Sequence, residues 1–217
     1  MKQGVVPEHT GPSLAALLRW SGMALIVGGL LAVVATALHP SRETTASILQ
    51  TEPRLVAAHV LFTVAYLLVL LGLPGLYGAE STRMGRLGLS GFLLAFMGTT
   101  LIAVSGDFGF IAPVLAAESS ELIDAVNRYP PVVTVNAVAF ATFVVGFVIF
   151  GIAMTKTATL IRLSGILVAV GAPLQVFGFA TAQVFSSALW TIAVLGSAAL
   201  GGGLAWAGYR MWRQPAV

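Results

Sequence analysis

Between Arg162 and Arg210 the chain reads LSGILVAVGA PLQVFGFATA QVFSSALWTI AVLGSAALGG GLAWAGY, residues 163–209, 47 positions without a charge. A helix rises about 1.5 Å per residue, so about 20 apolar residues cross the hydrocarbon core of a bilayer. Forty-seven is enough for two crossings and too many for one. The stretch must fold back, and the polar turn Gln183 to Ser187 is where it does so.

The rest of the chain reads the same way. Uncharged runs of 22, 25, 20 and 27 residues lie between Arg19 and Arg42, Arg54 and Glu80, Arg86 and Asp107, and Arg128 and Lys156. The spacing predicts an all-α polytopic transmembrane bundle of six helices in a single domain, residues 1–217, with spans near 18–39, 56–78, 87–106, 132–154, 160–182 and 187–209. Composition agrees: 58% of the 217 residues are hydrophobic and 9% charged. A soluble domain carries about 25% charged residues, so the expected solvent and first partner of this chain is a lipid bilayer.

Lys and Arg fall unevenly. With the N-terminus inside, Lys2, Arg19, Arg83, Arg86, Lys156, Arg162, Arg210 and Arg213 are cytoplasmic, and only Arg42, Arg54 and Arg128 lie outside. This bias places both termini in the cytoplasm. Because the basic residues sit at helix ends and form no patch, the net charge of +3 points to topology and not to nucleic acid. Lys2, the apolar run and Ala35-Thr36-Ala37 imitate a cleavable signal peptide, but the run is long for one and reads as a retained first helix.

Two outer loops are long enough to hold structure. In 107–131, Leu115, Leu122, Ile123 and Val126 share a helical face opposite Glu118, Glu121 and Asp124, which predicts a short amphipathic helix ended near Pro130-Pro131. In 40–55, Ile48 and Leu49 stand among polar neighbours.

The odd helices start alike, at Arg19-Trp20-Ser21-Gly22, at Arg86 with Leu89-Ser90-Gly91, and at Arg162-Leu163-Ser164-Gly165. The even helices end on Gly75, Gly151 and Gly203, so one helical hairpin used three times is a reading alongside simple convergence on small packing residues. Counting equal depths from these glycines puts a polar residue near the outer end of every helix: His39, His59, Asp107, Asn136, Gln183 and Ser187.

His39 and His59 are the candidates for chemistry, sharing one leaflet on adjacent helices. Two imidazoles are a ligand pair for a b-type haem, with Arg42 and Arg54 placed to hold propionates. With Asp107 the same histidines form a three-ligand set for a divalent metal. Either residue is also at home as an interfacial hydrogen-bonding group, since His39-Pro40 reads as a helix stop. Gln175, two residues after Pro173, is the mid-span polar residue of the fifth helix and a pocket-lining candidate with Asn136, Gln183 and Ser187. Trp190 and Tyr129 read as anchors at the outer interface.

Absences narrow the field. Without cysteine there is no disulfide, thiolate metal site or thiol nucleophile. No acidic or basic residue falls near a midplane, which weighs against an ion-coupled transporter. Ser197, Gly201 and Ala205 give the sixth helix a small residue at every fourth position, a face suited to a membrane-protein partner or a second copy.

The pattern resembles small six-helix bacterial membrane proteins with no assigned activity, in which a His-Pro ends the first helix, a His opens the second and a Gly-Leu-Tyr-like turn follows. Here these are His39-Pro40, His59 and Gly75-Leu76-Tyr77. The resemblance spans most of the chain and implies a bacterial cytoplasmic (inner) membrane, with no catalytic residues to carry over.

Three functional expectations follow. The leading one is a non-catalytic accessory or a binder of lipid or another small ligand, with a polar pocket on the extracytoplasmic side and no enzyme activity. The others are a haem- or quinone-linked electron carrier using His39 and His59, and a metal-dependent membrane enzyme using His39, His59 and Asp107.

Overall fold

The computed structural model describes residues 14–106, 108–157 and 159–213. Among them there is no strand. Five helices are long and apolar enough to cross a membrane. The elements in order are α1 (Leu14–Leu38), α2 (Thr45–Gln50), α3 (Glu52–Ser105), α4 (Phe108–Glu118), α5 (Ser120–Arg128), α6 (Pro130–Met154), α7 (Thr159–Val184) and α8 (Trp190–Trp212). A single 3₁₀ turn, Ser187–Leu189, precedes α8 at the polar turn expected from sequence.

At 54 residues α3 would be about 80 Å long if straight, well over twice the hydrocarbon thickness. It is not straight. Gly85 has φ 58° and ψ −151°, a region open essentially to glycine alone, and the helix doubles back there. The rings of Tyr77 and Phe92, fifteen positions apart, consequently stack at 5.1 Å. The expected second and third segments are thus the outgoing and return arms of one broken helix.

The long elements close a ring, α1 to the outgoing arm of α3, the return arm to α6, then α7, α8 and back to α1. In lipid there is little hydrophobic drive between helices, so association depends on close packing of small residues. The backbones of Gly29 and Gly201 touch so closely that a Cβ on either would strike the other's carbonyl. Beside them the Thr36 hydroxyl donates to Ser197 Oγ at 3.0 Å. The small-residue stripe of α8 is therefore occupied by α1 of the same chain. Each antiparallel pair has a close contact of this kind at the same end of the bundle: Gly75 on Ser21, Gly91 on Phe150 and Gly203 on Ser164. Phe143, Phe147 and Phe150 of α6 fill the centre.

The outer segments build a cap. The expected single amphipathic helix is two, because Ser119 is extended (φ −165°, ψ 137°) and its side chain accepts from Glu121 N, capping α5. Leu122, placed on the buried face by the sequence, is 41% exposed, while Ile123 is buried. Thr44 caps α2 in the same manner. Ile48, Leu55, Ala112, Ala116 and Ile123 form a separate apolar cluster over the bundle's outer end. Burial of each isoleucine from water in such a cluster contributes about 1.5–3 kcal/mol.

Candidate metal centre

α1 stops at Leu38 because Pro40 cannot continue it, and His39 turns inward, 3% exposed. Its Nδ1 donates to the Pro40 carbonyl at 2.7 Å. That bond fixes the ring, so Nε2 is the free edge. His59, on the outgoing arm of α3, presents its own Nε2 at 3.2 Å from His39 Nε2. The opposite, Nδ1 edge of the His59 ring faces the backbone at Gly106. A Cβ at Gly109 would run into the His59 ring, so glycine there lets α4 close over it.

The third member is Glu43, whose Oε1 lies 3.1 Å from His39 Nε2. One ligand atom from each of His39, Glu43 and His59 falls within 4.8 Å of the others, and this is the only such group among the described residues. Burial pushes the Glu43 carboxyl up, but the hydrogen bond from His39 and the charge of the two imidazoles outweigh it and hold it below its ordinary value.

The loop that delivers Glu43 is tied down on both sides. Arg42 donates through Nε to the Ala182 carbonyl (3.3 Å) and through Nη2 to the Phe185 carbonyl (3.1 Å). The Glu43 amide donates to Gln183 Oε1 at 3.0 Å. Trp190 forms a wall, stacked on His39 at 5.3 Å with its Nε1 donating to the Thr36 carbonyl at 3.1 Å. The sequence reading of Trp190 as an anchor at the outer interface is corrected here, because the ring is buried.

These groups line a chamber of about 690 Å³ that runs inward past Phe62, Tyr66, Phe140 and Phe143. Asn136, Gln175 and Gln183 also line it. Ser187 does not, lying exposed in the 3₁₀ turn. At 1.5 Å per residue, Gln175 is roughly 13 Å from the C-terminal end of α7, so the chamber stays within the half of the bundle that carries His39 and His59. Gln183 Nε2 is buried and has no hydrogen-bond partner among the described residues. With its Oε1 held by Glu43, this amide offers its donor to whatever occupies the chamber.

The remaining sequence candidates fare differently. Asp107 lies outside the described residues. Arg54 is exposed on the first turn of α3. The haem expectation meets a steric objection: axial imidazoles flank a porphyrin from opposite faces, whereas these two share one carboxylate at a 3.2 Å separation that leaves no slot for a macrocycle. Arg42, expected at a propionate, spends its guanidinium on backbone carbonyls. The residue that sequence reasoning missed is Glu43.

No known protein family matches the chain, and comparison with curated proteins and with solved structures likewise returns no match.

Proposed function

We propose that this is a six-crossing protein of a bacterial cytoplasmic membrane, both termini inside, in which His39, Glu43 and His59 hold one divalent cation at the head of an outer-leaflet chamber. The six crossings are α1, the two arms of α3, α6, α7 and α8. The proposed activity is metal-assisted chemistry on a molecule held in that chamber.

One observation carries the reading. Both Nε2 atoms and a carboxylate converge, while the far edge of each ring is occupied by backbone. With Nδ1 of His39 committed to Pro40, its Nε2, the His59 Nε2 and the Glu43 carboxylate meet at one point, where a divalent cation replacing the protons between them would satisfy all three. Two nitrogens and one carboxylate suit zinc, and three protein ligands with a position open to a cavity are the pattern of catalytic zinc sites. Such an ion supplies Lewis acidity and lowers the pKa of water. The Pro40 carbonyl behind His39 orients that ring, as outer-shell groups do in zinc proteins.

A second reading rests on the His39–Glu43 contact of 3.1 Å, which is also an ordinary ion pair if His39 carries both protons. The chamber is then a ligand-binding pocket without metal. Metal analysis of protein purified in detergent from zinc-replete cells separates the two. About one zinc per chain is expected. A metal-free protein that also takes up no zinc or cobalt on incubation overturns the metal centre and leaves the binding pocket.

A further inference from the structure

The cation proposal leaves open what the chamber accepts and from where. Its walls are mostly aromatic and aliphatic, with the charged and imidazole groups gathered at the cation end and scattered neutral polar side chains, Thr63, Tyr66, Asn127, Asn136 and Gln175 among them, elsewhere. That division suits an amphiphile. Its head would meet the cation and the unpartnered Gln183 amide, a donor suited to a carbonyl or phosphoryl oxygen.

The entrance is marked by α6. No residue from 124 to 138 is buried, so the first two turns of α6 stand clear of their neighbours. By contrast, the outer ends of α1 and α8 carry buried Ala35, Thr36, Trp190 and Ala193. Pro131, Val132 and Val135 from those free turns line the chamber, and Val135 is 49% exposed. The surface beside them is apolar, with Val133 and Val138 also exposed. An opening flanked by valines at that depth faces hydrocarbon and not water.

Building on the metal-centre reading, we infer that the chamber is loaded sideways from the outer leaflet, past the first two turns of α6, by a membrane lipid. Its acyl chain lies along Phe140, Phe143 and Tyr66, and its head-group oxygens meet the His39–Glu43–His59 cation and Gln183.

The test uses Trp190 as a reporter inside the chamber wall. With Trp20, Trp206 and Trp212 changed to Phe, the full chain is reconstituted in phosphatidylcholine vesicles whose acyl chains are dibrominated at mid-chain. Trp190 is buried, so the part of its quenching that depends on the entrance reports a chain within the chamber. Quenching is expected to fall at least twofold when Val132→Phe and Val135→Phe narrow the entrance. It is expected to persist in Val138→Phe, on the same turns but away from the chamber lining. Equal quenching in the narrowed and control proteins, with both showing the wild-type thermal transition, overturns lateral loading. Zinc content measured on the same samples keeps the two proposals apart: zinc without chamber quenching sinks the lipid and spares the metal, and quenching without zinc does the reverse.

Discussion

The Nε2 atoms of His39 and His59 stand 3.2 Å apart, each ring held from behind by backbone, and Glu43 closes on the same point from a loop that is not helical. The arrangement makes each of the three residues separately testable.

Removing any one ligand should collapse zinc affinity. His39→Ala, His59→Ala and Glu43→Gln are each expected to weaken zinc binding by on the order of 100-fold or more, the upper end of what loss of even an outer-shell partner costs. Competition against a fluorescent chelator in detergent measures this. Unchanged affinity in Glu43→Gln would remove the carboxylate from the site.

The fit of Gly109 against His59 gives a prediction in which no ligand is touched. Gly109→Ala pushes a methyl group into the His59 ring and should weaken zinc binding about 10–100-fold by misplacing that ligand. Gly78→Ala, where an added Cβ meets nothing within 4 Å, is the matched control and should bind zinc as wild type does.

Glu43 also sets a pH dependence in the zinc-free protein. Its folded pKa is held below the 4.5 of a free glutamate, so its contribution to stability is present above about pH 4.5 and is lost as the pH falls through the lower folded value. Thermal unfolding in chelator should show wild type more stable than Glu43→Gln at pH 7, with the gap closing on acidification below pH 4. A gap that widens in acid would mean that the carboxyl is stabilised in its protonated form.

The turn of α3 depends on one backbone conformation. Gly85→Ala forces a side chain into φ 58°, ψ −151° and should cost about 1–3 kcal/mol, read as a lowered melting temperature. An unchanged transition would show that the two arms re-form their connection without strain.

Much of this architecture is legible in the sequence, because charge-free runs of membrane length report helices directly. His39 and His59 emerge from depth counting, since helical rise is uniform, His39 directly follows α1 and His59 lies about two turns into α3. Glu43 does not, although it is four residues from His39, because helical spacing has no meaning past Pro40. Its carboxylate returns only because Arg42 and Gln183 anchor the loop to α7, a contact spanning 140 residues. Trp190 misleads for another reason: an aromatic at a helix end normally faces the interface, and here stacking on His39 and the Nε1 bond to the Thr36 carbonyl turn it inward. The break between α4 and α5 was within reach, since Ser119 before Ser120-Glu121 is a helix-capping signal.

The zinc-edge X-ray absorption spectrum of the purified, zinc-loaded protein tests the centre most directly. The account predicts a first shell of two imidazole nitrogens at about 2.0–2.1 Å with oxygen donors, and loss of one imidazole's scattering in His59→Ala. A shell of oxygens alone, or one unchanged by that substitution, would contradict it.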